Sequence, residues 1–243
     1  MNPANDYTPA SAMVIVAHPD DAEFLVAGTM AKWTAAGAEA TYVVVTKGDK
    51  GSEDPQMTPS RLTAIREAEQ RAACDVLGVR HCVFLGYEDG YLQPTLQLRR
   101  DLTRLIRQHR PEVVVTFDPT NRFLGDNYVN HPDHRATGDA TVDAIFPSAR
   151  DRLTFPELLT ENLLPHKVSQ LWMGGAGEPN GWVDITGTLD VKKRALAAHP
   201  SQLGADIGPM AEMMARWGAA GQSFAFGEAF RRIVFDAPFE LPE

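Results

Sequence analysis

Four short apolar runs, each followed by a stretch of helical spacing or by a turn, constrain this chain more than any other feature. Residues 12–17, 40–46, 81–85 and 112–117 are rich in Val and Ile and too short for helices. Near-continuous hydrophobicity in such runs marks strands covered on both faces, as in a parallel sheet. Between them, Phe24, Leu25, Met30 and Trp33 recur at roughly helical spacing over residues 21–36 and are closed by Gly37. Thr58 as N-cap and Pro59 in the first turn announce a second helix through Ile65, Ala68, Ala72 and Leu77 to Gly78. A third, over 96–109, carries Leu98, Leu102, Leu105 and Ile106 on one face and ends before Pro111. Strands alternating with helices specify right-handed βαβ crossovers. The expected fold is therefore α/β: a Rossmann-like, doubly wound, mostly parallel sheet with helices on both faces. Beyond it the pattern predicts a helix over 132–145, strands over 167–173 and 182–185, and a helix over 186–198 capped by Thr186 or Thr188. A Met-rich helix over 209–219 and a last strand over 231–235 follow. Residues 1–11 read as an N-terminal tail and 12–243 as a single domain, a length that buries a substantial core.

Each of two loops at the expected carboxyl edge of this sheet carries a tetrad of metal-competent groups. His18-Pro19-Asp20-Asp21 follows the first strand directly, and His131-Pro132-Asp133-His134 lies far downstream, beyond the fourth strand. In a Rossmann-type order the first and fourth strands are neighbours at the switch point, where α/β proteins keep their ligands. Topology would therefore bring the tetrads together. A hydrolytic zinc site needs about three protein ligands and an open position for water, and imidazoles with a carboxylate suit that ion. A carboxylate beside such a site can take the proton of the attacking water, and a nearby imidazole can stabilise the oxyanion. Spacing alone leaves open which of Asp20 and Asp21 binds metal. The bland alternative is a pair of His-Pro turns with solvated carboxylates, and two tetrads at one sheet edge argue against it.

The formal net charge of -9 argues against a nucleic-acid partner and against an anionic membrane surface. No apolar run approaches the ~18 residues of a membrane span, and the polar N-terminus lacks a signal pattern. A cytoplasmic location is expected. Cys74 and Cys82 form no disulfide framework and are read as buried free thiols. Met210, Met213, Met214 and Trp217 form a core or subunit-contact stripe, which leaves a homo-oligomer open.

With these residues in view, Ala17-His18-Pro19-Asp20-Asp21 together with His131-Pro132-Asp133-His134 resembles the LmbE-like, or PIG-L, family of zinc-dependent N-deacetylases. Similar features fall in order between and after them: Thr46-Lys47-Gly48-Asp49-Lys50-Gly51, Ile65-Arg66-Glu67-Ala68-Glu69, Leu85-Gly86-Tyr87-Glu88-Asp89-Gly90 and His199-Pro200-Ser201-Gln202. The resemblance implies that His18, Asp21 and His134 bind zinc, that Asp20 is the general base, that His131 stabilises the oxyanion and that Asp133 pairs with His131. It also implies that Arg66 and Asp89 touch the sugar, and that His199 lies near the site. The residue-level alternatives are a surface Arg66 paired with Glu69, an Asp89 that serves the turn before Gly90, and a helix-terminal His199. His81, His109 and His166 are assigned to structure.

The implied function is hydrolysis of the N-acetyl group of a small N-acetylglucosamine-type amino sugar or conjugate, of the kind that leads to sugar-based thiols. Zn2+ is the implied cofactor, and Fe2+ accepts the same ligands. Two other readings are an amidase or esterase acting on a non-sugar conjugate and a non-catalytic sugar- or metal-binding protein. A nucleotide-binding domain is disfavoured, since no G-x-G-x-x-G follows the first strand. The chain departs from many members in placing Ala22 directly after the first tetrad, with the acidic residue at Glu23, and in a long segment over 122–130. The loops 47–57 and 118–130 are expected to set specificity by shape.

Overall fold

A computed structural model of the chain describes residues 4–204 and 206–235. The helical and extended segments run β1 (Ser11–Val16), α1 (Asp21–Ala35), β2 (Glu39–Thr46), α2 (Pro59–Leu77), β3 (His81–Tyr87), α3 (Leu96–His109) and β4 (Val113–Phe117). Then come β5 (Phe123–Leu124), β6 (Tyr128–Val129), α4 (Pro132–Asp143), α5 (Glu157–Thr160), β7 (Gln170–Gly174), β8 (Gly181–Asp184), α6 (Leu189–Leu196), α7 (Gly208–Gly218) and β9 (Gly227–Val234). Seven strands make one sheet in the order β3-β2-β1-β4-β7-β9-β8. The first five are parallel, and β9 and β8 extend the edge antiparallel. The expected α/β class and mostly parallel sheet are what the chain adopts, with β1 and β4 adjacent.

Both faces of the sheet are covered, which is why its strands read as unbroken apolar runs. In β1, Val14 and Val16 join a cluster with Trp33, Tyr42 and Trp172, while Met13 and Ile15 join one with Leu98, Leu102 and Ile106 on the other face. The caps of α2 follow the sequence signals closely, and α3 has one that the pattern did not name. The Thr58 hydroxyl accepts the Arg61 N–H, Gly78 closes α2 in the left-handed region, and Thr95 caps α3.

Several boundaries differ from expectation. The segment 118–130 holds a two-stranded hairpin, β5 with β6. Helix α6 starts at Leu189, and the Thr188 hydroxyl donates to the Gly28 carbonyl instead of capping it. The last strand begins at Gly227, four residues earlier than the pattern suggests. Residues 4–10 of the expected tail are docked: the Tyr7 hydroxyl donates to Glu112 at 2.5 Å, and the Trp33 indole donates to the Tyr7 carbonyl at 2.9 Å. Residues 1–3, 205 and 236–243 of the expected tail and domain lie outside the described residues. Among the described residues, no helix is long and apolar enough to cross a membrane.

One buried ion pair ties the last strand to α1. Lys192 Nζ lies 2.6 Å from Glu228 Oε1, with both side chains almost fully enclosed. Lys192 also donates to the Phe24 carbonyl, and the Glu228 carboxylate accepts the N–H groups of Gly28 and Thr29. The pair thus occupies main-chain groups of α1 itself. Gly28 admits this close packing, since a Cβ there would meet Ile185 at 2.7 Å. A buried charge stripped of its partner is expensive. Lys192→Met is expected to destabilise the protein by about 3–5 kcal/mol, read as a lower urea midpoint with an unchanged m-value. A midpoint equal to that of the parent would show that Glu228 does not depend on the ammonium.

Candidate active site

Parallel pairing of β1 with β4 sets the two tetrads side by side. Asp21 opens α1, and its carboxylate faces two imidazoles: Oδ2 lies 3.2 Å from His18 Nδ1, and Oδ1 lies 3.1 Å from His134 Nε2. The His18 main-chain N–H also donates to Asp21 Oδ2 at 2.7 Å. Each imidazole is engaged from behind. His18 Nε2 lies 3.0 Å from Asp89 and 3.4 Å from Asp133, and His134 Nδ1 lies 3.1 Å from Asn130 Oδ1. Phe117, at the end of β4, stacks on the His134 ring with centroids 4.2 Å apart and planes 7° apart. A ligand histidine characteristically gives its second nitrogen to a carboxylate or amide oxygen, which orients the ring. Here that arrangement leaves His18 Nδ1 and His134 Nε2 converging on Asp21.

The electrostatics ask for a cation. Burial opposes a charged His18, yet the Asp21 carboxylate and hydrogen bonds to Asp133, Asp21 and Asp89 push its pKa up to about 12. Burial likewise opposes a charged Asp21, but His134 and His18 hold its carboxyl well below the usual range. The ring nitrogens of His18, His131 and His134 lie within 4.8 Å of one another, as do the ligand atoms of His18, Asp89 and Asp133. The latter two carboxylates already accept main-chain N–H groups: Lys50 donates to Asp89, and Gly90 and Leu92 donate to Asp133. A set of nitrogen and carboxylate donors with backed imidazoles fits a divalent transition ion.

Asp20 stands immediately before this set in a left-handed conformation, φ 101°. Arg66 donates to Asp20 Oδ2 at 3.2 Å and to the carbonyls of Pro19 and Gly48 at 2.6 and 2.9 Å. Glycine suits position 48, because its φ is +61° and a Cβ would press on the Arg66 guanidinium at 2.6 Å. Burial pushes the Asp20 carboxyl up to about 7, helped by Asp21 and opposed by Arg66. His131 is the N-cap of α4: its Nδ1 accepts the Asp133 N–H at 3.2 Å, which leaves the ring hydrogen on Nε2. Burial and the nearby His18 hold its pKa below the ordinary value.

The structure brings the six titratable residues of the tetrads together, with Asp89 beside His18 and Arg66 beside Asp20. Arg66 is buried and turned toward Asp20, not paired with Glu69, whose carboxylate instead receives the N–H and hydroxyl of Ser201. The expected contact of Asp133 with His131 runs through the Asp133 main-chain N–H, while its carboxylate serves Gly90, Leu92 and His18. His199 is fully buried, 3.1 Å from Glu23. Sequence patterns did not single out Asn130, Phe117 or Gln70. Asn130 had a signal, its i,i+4 spacing from His134; the other two depend on how elements pack.

An α/β protein with two His/Asp tetrads at the carboxyl edge of a parallel sheet is the class that fold and site define. The profile of the PIG-L family, described as GlcNAc-PI de-N-acetylase, matches residues 13–145, and the chain belongs to that family. Diacetylchitobiose deacetylase of Thermococcus kodakarensis is 30% identical over 84% of this chain and 74% of that protein. The 1D-myo-inositol 2-acetamido-2-deoxy-alpha-D-glucopyranoside deacetylase of Actinosynnema mirum is 30% identical over 93% of this chain and 89% of that protein. Among solved structures, the inhibitor complex of N,N'-diacetylchitobiose deacetylase from Pyrococcus horikoshii superposes with a TM-score of 0.86 at 29% identity. It covers 95% of this chain and 88% of that one.

Asn130 offers a test of how the imidazoles are held. Asn130→Ala is expected to weaken divalent-metal binding by about 10–100-fold, the typical effect of losing a ligand's outer partner. Competition against a chromophoric chelator would measure it, and parental affinity in the variant would remove Asn130 from the site.

Proposed function

We propose that this chain is a metal-dependent N-deacetylase that hydrolyses the acetamide of a small N-acetylglucosamine-type amino sugar or conjugate. The observation that carries the reading is the convergence of His18 Nδ1 and His134 Nε2 on Asp21, with Asp20 held beside them. The deacetylase activities of the named relatives support the acetyl group and the amino sugar as substrate. His18, Asp21 and His134 would hold the ion, zinc or ferrous iron. When bound, such an ion supplies Lewis acidity and lowers the pKa of water.

The protein's own groups carry the proton traffic. Asp20 takes a proton from the attacking water and delivers it to the departing amine, so that the amide C–N bond breaks to give acetate and a free amino sugar. His131 donates from Nε2 to the carbonyl oxygen as negative charge gathers there. Arg66 keeps the Asp20 carboxylate turned toward the site, and Asp89 keeps the His18 ring oriented. At the rim, Tyr91 follows Asp89 by two residues and is 71% exposed, with the Lys50 ammonium 5.5 Å from its ring centre. Phe123 and Tyr128 are exposed on the hairpin. Aromatic faces of this kind suit a sugar ring, while Lys50 suits an anionic aglycone.

Acetate release from N-acetylglucosamine and its conjugates, by metal-free protein before and after one equivalent of zinc, tests the activity. Acetate is expected only with metal, and its absence from every N-acetyl sugar would overturn the assignment. Asp20→Asn should keep its metal and lose about 10²–10⁴-fold in kcat, the usual contribution of a general base. His131→Ala should lose about 10²–10³-fold in kcat, the typical effect of removing an oxyanion donor. Unchanged turnover in either variant would remove that residue from its role.

A further inference from the structure

Behind Asp20, three buried polar side chains form a directed chain. Gln70 Oε1 accepts the Asp20 N–H at 3.0 Å, and Gln70 Nε2 donates to Glu23 Oε1 at 2.9 Å. Glu23 Oε2 lies 3.1 Å from His199 Nε2. All three side chains are enclosed, with Glu23, Gln70 and His199 at 0% exposure. They come from three parts of the chain: the first turn of α1, the middle of α2 and the turn after α6. The same α2 grips Asp20 twice, since Arg66 holds its carboxylate and Gln70, one turn later, holds its main-chain N–H. Glu69 fixes the His199 segment to α2 through Ser201.

The chemistry of the donors leaves one arrangement. A carboxylate only accepts, so Gln70 must turn its NH2 toward Glu23, and its carbonyl oxygen then meets the Asp20 N–H, which only donates. His199 supplies the N–H on the far side of Glu23. The group held at the end of this chain is strained: Asp20 is not a glycine, yet it occupies the left-handed region at φ 101°, a conformation that persists only where surroundings over-determine it. Strain of this sort at the hinge between Pro19 and Asp21 determines where the Asp20 carboxylate points.

We propose that Gln70, with Glu23 and His199 behind it, is a positioning residue that locks Asp20 in its left-handed conformation and so aims the carboxylate that moves the proton. The proposal rests on the reading of Asp20 as general base. Two measurements separate its failure from the failure of that reading.

In the first, amide hydrogen exchange of isotopically labelled protein is followed at Asp20. The parental N–H is expected to be protected, and Gln70→Met, which keeps the length and removes the acceptor, is expected to speed its exchange by at least about tenfold, the step that each ~1.4 kcal/mol of lost local stability produces. This readout needs no activity, so it stands even if no N-acetyl sugar is hydrolysed. Unchanged exchange would overturn the lock.

In the second, kinetics are taken on metal-loaded protein. Gln70→Met is expected to lower kcat by about 10–100-fold, as misplacement of a catalytic group does. KM should stay within about twofold, the pattern of an interaction that acts only in the transition state. A parental kcat, or a loss that merely tracks lost metal, would overturn the proposal. The reversed pair Glu23→Gln with Gln70→Glu guards against a variant that does not fold. Residue 23 would then accept from His199 and donate to residue 70, which would again accept the Asp20 N–H. Turnover is expected to collapse in Gln70→Glu alone, where two carboxylates face each other, and to recover in the double variant. A double variant no better than the single one would show that the direction of the chain does not matter.

Discussion

Main-chain hydrogen bonding between β1 and β4, in register from Ala12 with Val113 to Val14 with Val115, is the constraint on which the site depends. It places the ends of two strands distant in sequence side by side, and the segment 118–130 with its hairpin then returns the chain to α4, where His134 meets His18 and Asp21. Everything chemical then follows from a dense group of carboxylates around few imidazoles. Asp21, Asp89 and Asp133 all face His18, and such a group is tolerable in an enclosed place only when a positive charge sits among them. The N,N'-diacetylchitobiose deacetylase of Pyrococcus horikoshii is built on this same scaffold.

The remainder of the fold acts as a brace for α1, the helix whose first residue is Asp21. From one side α2 presents Arg66 and Gln70 to Asp20. From the other, Lys192 and Glu228 hold main-chain groups of α1 at Phe24, Gly28 and Thr29. The helix therefore has little freedom to slide or rotate, and the tetrad at its start inherits that rigidity. Rigid elements hold a constellation better than loops do. The hairpin β5–β6 and the side chains of Tyr91 and Lys50 are built differently, exposed and outside this brace.

Much of the sheet and one half of the site were legible in the amino-acid sequence. Capping signals located α2 almost to the residue, because Thr58 and Gly78 act locally through their own backbone, and the apolar face ending before Pro111 located α3. The boundaries that moved were those set by tertiary contacts: Thr188 gives its hydroxyl to the Gly28 carbonyl, and β9 extends because β7 and β8 both pair with it. In the site, Arg66 read as a surface residue paired with Glu69 or as a sugar contact, since helical spacing says which residues share a face but not what that face meets. Gln70 carried no signal at all, because a glutamine in the middle of a helix is ordinary until a strained amide is found opposite it.

By itself the sequence determined the α/β class, the adjacency of the two tetrads and the residue types a hydrolytic metal site requires, because strand and helix periods and strand-end motifs are local properties. Spacing left Asp20 and Asp21 alike, and it is the tertiary structure that gives them different partners. The two are neighbours of the same chemistry, and what distinguishes them is direction. A left-handed turn gives one to Arg66 and Gln70, and the first turn of α1 gives the other to His18 and His134. Direction at that point is the product of packing among α1, α2 and the two strand ends, which no one-dimensional pattern encodes.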